Sequence, residues 1–346
     1  MKLVKTFAWI GGLVALAFAA LAFGSPVHAE SLFNDGGISV AMGGLIVNKQ
    51  NLSNIFISLK ATFNNAFDTA PSNWEKVAMK IVSTTTQNDY AWLSKFPKMR
   101  AWVGDKNVKA LEAFKYSIPN RDFEATVEVD RNDIEDDQLG IYAPQAQMAG
   151  FSAKQLPDEI VMDLINASFV SLCFDGQYFF DIDHMAGGVA VSNKGTKALS
   201  AASSAAAEAS FGAARLAMRK FKDDEGRPLN ITPNVLLVPP ALETTALKLR
   251  NSEFLAVNDT NPYRGTFEVV VDARLTSDTA WFLLDMTQPV KPFIYQERKA
   301  PVFVEQTDPQ ADDVFNRKKF KFGAEARAAG GYGFWQLAYG SDGTVA

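Results

Sequence analysis

YSIPNRDFEATVEVDRNDIEDDQLG, residues 116–140, decides how this 346-residue chain is read. Tyr116, Ile118, Phe123, Ala125, Val127 and Val129 fall on alternating positions around the turn formers Pro119 and Asn120, which predicts two strands joined by a turn. The acids Asp130, Asp133, Glu135, Asp136 and Asp137 follow at once. They lack the glycine turn and distal glutamate of an EF-hand loop, and carboxylates favour the positive end of a helix, so they predict a helix start rather than a calcium site. A strand pattern running directly into a helix pattern points to a mixed fold.

Toward the N-terminus, aromatic residues dominate. Trp92, Phe96, Trp102, Phe114, Tyr116 and Phe123 are too many for a simple exposed hairpin and predict an extended element that a partner surface must cover. Before it, Leu52, Ile55, Phe56, Leu59, Phe63 and Phe67 recur at helical spacing, with Asn51 or Ser53 as cap, and form an amphipathic arm. A core helix and a strap lying on a neighbouring subunit fit that pattern equally.

Toward the C-terminus the spacing predicts a helix interrupted near Pro144 and resuming at Pro157, where Asp158 and Glu159 make a good first turn and Val161, Leu164, Ile165 and Phe169 a buried face. Residues 187–204 are small and polar, a loop or hairpin. A helix then packs Phe211, Ala214, Met218 and Phe221; Val235–Val238 is a short buried strand, Ala241–Arg250 a helix, and TFEVVVDARL and AWFLLD strong strands. Strands and helices interleave without strict alternation, so the class is α+β.

With 47% hydrophobic residues the chain can bury a large core, and 34 Lys plus Arg against 39 Asp plus Glu leave no basic stripe for gripping nucleic acid. One cysteine excludes an internal disulfide. No GxGxxG, P-loop, HExxH, GxSxG or internal repeat is present. Residues 1–29 read as a Sec signal-like leader: Lys2 and Lys5, an apolar run from Phe7 to Phe23, then Val27 and Ala29 at signal-peptidase spacing. Met42 offers an alternative start, and either route predicts that residues 1–41 are absent from the working subunit.

SLCFDGQYFFDIDH, residues 171–184, gathers the single Cys173, His184 and three aspartates, the materials of a nucleophile or a metal site. Phe179 and Phe180 between them, and the apolar approach to Cys173, favour a structural turn with an un-ionised thiol. One His and one Cys also make a poor zinc set.

The strings YAWLSKFPKMRAWVGDK, YSIPNRDFEATVEVDRNDIEDDQLGIYAP, PDEIVMDLI, CFDGQYFFDIDH, KPFIYQERKAP and FGAEARAAGGYGFWQ, in this order from Val47 to Tyr339, resemble the major head (capsid) protein family of Mu-like tailed phages. The family pattern continues with proline after the histidine, where this chain has Met185. The resemblance implies an HK97-like phage capsid fold: an N-terminal arm at 42–82, an extended hairpin loop at 83–130, a peripheral domain with a spine helix at 131–199 and 286–346, and an axial domain at 200–285. It implies a structural role with no catalytic, cofactor-binding or metal residue. Phe56, Phe63, Trp92, Phe96, Trp102, Phe114, Tyr116 and Phe123 are then subunit-interface candidates. The implied partners are copies of the chain in hexamers and pentamers, a scaffold or maturation protease, and packaged double-stranded DNA held without specific binding, with no small-molecule substrate. The implied place is the virion capsid, assembled in the bacterial host cytoplasm, whereas the leader would imply export. Two rivals are a bacterial nanocompartment shell on the same fold and a secreted thiol enzyme using Cys173 and His184.

Overall fold

The structure is a computed structural model that describes residues 49–90, 93, 116–135, 142–306, 308 and 310–345. Trp92, Phe96, Trp102 and Phe114, the leader and Met42 lie outside the described residues. In chain order the helices are α1 (Lys49–Thr69), α2 (Arg131–Glu135), α3 (Ala143–Asn166), α4 (Ser204–Ala207), α5 (Ala213–Arg219), α6 (Glu243–Asn251) and α7 (Asp312–Arg317). The strands are β1 (Ala78–Val82), β2 (Gln87–Asp89), β3 (Ser117–Pro119), β4 (Arg121–Asp130), β5 (His184–Ala186), β6 (Val189–Val191), β7 (Lys194–Lys197), β8 (Val235–Val238), β9 (Phe254–Ala256), β10 (Asp259–Thr260), β11 (Glu268–Val271), β12 (Trp281–Leu284), β13 (Phe293–Gln306), β14 (Lys319–Tyr332) and β15 (Ala338–Val345).

Two sheets organise them. A four-stranded sheet runs β1-β13-β14-β4, its centre the long antiparallel pair β13 and β14. A five-stranded sheet runs β11-β8-β12-β15-β7. Its inner strands β8 and β12 read VLLV and WFLL, and every residue in them is buried. Such uninterrupted apolar runs are expected where both faces are covered. Phe211, Ala214, Met218 and Phe221 are all buried in the same core as these strands, as their spacing predicts.

The arm helix α1 settles the open choice between core helix and strap. Leu52, Phe56, Leu59 and Phe63 are buried within the chain itself. Phe56 sits edge-on to Phe320 and Phe322 at 6.4 and 6.3 Å, and Phe63 lies 5.4 Å from Phe303. Both side chains therefore belong to the fold's own core, a correction to their expected place at a subunit interface. Burying each phenylalanine stabilises by about 1.5–3 kcal/mol, which outweighs leaving it for a neighbour. Helix α3 accommodates α1 through the small buried residues Ala146, Ala149, Gly150 and Ala153. At Gly150 any Cβ would run into the Phe63 carbonyl oxygen, so the close approach requires glycine.

Three other expectations change. β3 and β4 do flank Asn120, but they do not pair with each other: β3 pairs with β2, and β4 with β14. Hence 121–130 belongs to the four-stranded sheet and not to an extended loop. Helix α3 is continuous, with Pro144 in its first turn and Pro157 inside it. The buried face of Ala149, Ala153, Pro157, Val161 and Ile165 runs straight through the proline, and that packing outweighs the missing N–H. Finally, β7 and β15, assigned by resemblance to the peripheral domain, complete the five-stranded sheet, so cuts at 200 and 285 would divide one sheet. Among the described residues no helix is long and apolar enough to cross a membrane.

Candidate functional site

Helix α3 ends at Asn166, and the chain turns back through residues 171–184 against the bases of both sheets. The Cys173 N–H donates to the Gln177 carbonyl at 2.8 Å, closing a tight turn. Phe179 and Phe180 point inward and are fully buried; Phe179 stacks on Tyr332 at 4.7 Å and Phe180 on Phe282 at 5.6 Å. Asn193, also fully buried, pins the corner: its amide donates to the Phe179 carbonyl at 2.8 Å, and its side-chain oxygen accepts from the Asp181 N–H at 2.9 Å.

This turn brings Cys173, Asp175 and His184 together, their ligand-type atoms all within 4.8 Å. The carboxylate is the centre of the group. Its Oδ1 accepts from the Cys173 thiol at 3.0 Å and from the Gln177 N–H at 3.1 Å, while Oδ2 lies 2.7 Å from His184 Nδ1. The other ring nitrogen, Nε2, faces the Phe179 carbonyl at 3.3 Å, and the imidazole stacks flat on Trp335 at 4.2 Å. Burial pushes the Cys173 thiol far up, and the adjacent Asp175 carboxylate pushes it further. Burial alone would raise Asp175, but hydrogen bonds from His184 and Cys173 outweigh it and hold that carboxyl below its ordinary range.

That order suits no thiol catalysis. A nucleophilic cysteine needs an imidazole next to it to take its proton, with the acid behind the imidazole. Here the acid stands between, and both ring nitrogens are engaged elsewhere. A zinc ion fits no better. Tetrahedral zinc keeps its ligand atoms roughly 3.3–3.5 Å apart, whereas these touch directly at 2.7 and 3.0 Å. The trio is a satisfied buried hydrogen-bond network that fixes the corner.

Of the remaining interface candidates, Tyr116 and Phe123 are half-buried. The Tyr116 hydroxyl accepts from the Tyr332 N–H at 2.7 Å, and its ring lies 6.4 Å from Tyr90. Phe123 stands on β4 opposite Ala326 and packs against the main core. Surface apolar groups occur on the segment after α3: Val170, Leu172, Ile182, Met185 and Val189 are all exposed, and of these sequence reasoning singled out Met185 alone, as a departure from the family pattern. Their irregular spacing in the sequence gave no period to detect.

Comparison with known proteins bears on what such a chain is. Residues 52–211, 199–275 and 272–346 match the family described as Mu-like prophage major head subunit gpT. The chain is 33% identical over 294 residues to the major capsid protein of Escherichia phage Mu, covering 85% of this chain and 74% of that one. It is 31% identical over 291 residues to the Mu-like prophage FluMu major head subunit of Haemophilus influenzae, covering 84% and 73%. Among solved structures, a chain of the procapsid of bacteriophage JBD30 superposes with a TM-score of 0.55 at 31% identity, covering 85% of this chain and 76% of that chain. The α+β architecture is the HK97-like capsid fold, and the chain belongs to the Mu-like prophage major head subunit family.

Proposed function

We propose that this chain is a major capsid subunit, and that copies of it associate as hexamers and pentamers into the icosahedral shell of a phage head. The observation that carries the reading is the head-subunit family match through residues 52–346, joined to the procapsid likeness over 85% of the chain. The subunit works by burying surface against copies of itself, not by chemistry. The central position of Asp175 between Cys173 and His184 supports that, since it keeps the imidazole away from the thiol. The exposed apolar side chains after α3 supply surface that association would cover.

The same reading extends to partners. A scaffold or maturation protease assists assembly, and the shell encloses double-stranded DNA without specific binding. An excess of carboxylates, 39 against 34 basic residues, suits a container that must hold a genome without gripping phosphate. Assembly takes place in the host cytoplasm, and the leader is absent from assembled subunits, as residues 1–29 if it is cleaved or as residues 1–41 if translation begins at Met42. Negative-stain microscopy and sedimentation of the purified chain, alone and with its scaffold, test the reading: closed shells are expected, and a stable monomer in both conditions overturns it. Intact mass of the particle subunit tests the leader, a start at Glu30, Met42 or Gly43 being expected and full-length Met1 refuting it.

A further inference from the structure

The short ribbon formed by β2 and β3 stands outside the four-stranded sheet, and a buried amide ties both of its strands to that sheet, beside the bond from the Tyr332 N–H to the Tyr116 hydroxyl. Gln296, on β13 between Tyr295 and Glu297, is fully buried. Its Oε1 accepts from the Tyr90 hydroxyl at 2.7 Å, at the end of β2. Its Nε2 donates to the Ile118 carbonyl at 3.0 Å, on β3, and to Asn120 Oδ1 at 2.7 Å. Asn120 passes the connection on: its side-chain amide donates to Ser83 Oγ at 2.9 Å and to the Thr85 carbonyl at 2.8 Å, and its N–H to the Thr86 carbonyl at 2.9 Å. One side chain thus bonds to both ends of the ribbon.

An apolar residue would fill that position in the sheet without the cost of burying an amide. What the amide adds is direction, because hydrogen bonds weaken steeply with angle and three of them admit one orientation. Packing on the other side agrees. The Ile118 side chain occupies the space over Gly331 of β14, where a Cβ would overlap its terminal carbons. The ribbon's outer residues Thr84, Thr85, Thr86, Gln87 and Asp89 are exposed, so its angle sets where that polar surface meets a neighbour.

We propose that Gln296 is a positioning residue for assembly: its buried amide fixes the angle at which the β2–β3 ribbon leaves the sheet, and so the surface offered to a second copy of this chain. This rests on the capsid reading. The test uses Gln296→Leu and the milder Tyr90→Phe, which removes one hydroxyl, each in the full chain. Spin labels at Gln87→Cys and Glu325→Cys, in a Cys173→Ala background, report the ribbon angle on unassembled subunits. A single distance in the parent should broaden or shift in both variants, while shell yield by sedimentation falls about tenfold for Gln296→Leu with far-UV circular dichroism retained. If Gln296→Leu unfolds, the same comparison on Tyr90→Phe decides. An unchanged distance distribution, or shell yield within about twofold of the parent, overturns the proposal. Failure of the parent itself to form shells counts against the capsid reading instead, and the distance measurement still judges the positioning role.

Discussion

Asp158→Ala should destabilise the subunit by about 3–4 kcal/mol, although the residue is far in sequence from everything it holds. Asp158 lies on α3 and is almost wholly buried. Its Oδ1 accepts from the backbone N–H groups of Asn73 and Trp74 at 2.7 and 2.9 Å, and its Oδ2 from the Ser72 hydroxyl at 2.6 Å. It is therefore the anchor of the turn that leads from the arm helix α1 into β1. Alanine removes all three acceptor contacts. The Trp74 N–H is buried and loses its partner outright, about 1–3 kcal/mol, while Ser72 and Asn73 are half-buried and recover part of the loss from water. Asp158→Asn keeps one acceptor oxygen, so its loss should be about half as large. Urea unfolding of unassembled subunits is the assay, with the midpoint falling and the slope unchanged. At roughly 2–3 °C per kcal/mol for a chain of this size, Tm should drop by about 6–12 °C. A loss under about 1 kcal/mol for alanine would refute the reasoning, since it would mean the turn finds other acceptors.

Gly150→Leu should separate α1 from α3 at their closest point and cost about 2–3 kcal/mol, with limited proteolysis now cutting within residues 49–69; an arm as resistant as the parent's would contradict the packing. Asp175 carries a folded pKa held below its unfolded value of 3.8, so its contribution is present above pH 3.8 and lost as pH falls through the folded value. The acid limb of subunit stability below about pH 4 should therefore flatten in Asp175→Asn, and an unaltered limb would remove Asp175 from the account. Cys173→Ala should still form shells, and native Cys173 should alkylate far more slowly than in urea, because the thiol is buried and strongly raised; fast native alkylation would return Cys173 to the list of reactive thiols.

Local periodicity found elements and could not find partners. The alternation from Tyr116 to Val129 located β3 and β4, but a period of two is the same whichever strand lies alongside, so the pairing of β3 with β2 and of β4 with β14 was invisible. Pro157 with two acids after it carries the chemistry of a helix start. Only the distant Ser72–Trp74 turn explains why Asp158 is there at all. The Cys173–His184 segment was legible as a turn because its phenylalanines announced burial. The placing of Asp175 between thiol and imidazole depends on a fold-back that spacing does not encode. Likewise Gln296 is one polar letter among several in its strand, and its meaning lies in residues 176 to 206 positions away.

The order of strands in the five-stranded sheet has a consequence for the timing of synthesis. β15 lies between β12 and β7, and β7 pairs with β15. At about 5–20 residues per second, the roughly 140 residues from Lys197 to Ala338 take roughly 7–30 s to emerge, and throughout that interval β7 has no strand to join. The nascent chain meanwhile carries open strand edges, the features most prone to wrong pairing. Insertion of β15 joins β12 to β7 in one step. The five-stranded sheet is thus completed only after β15 has emerged, later than the four-stranded sheet.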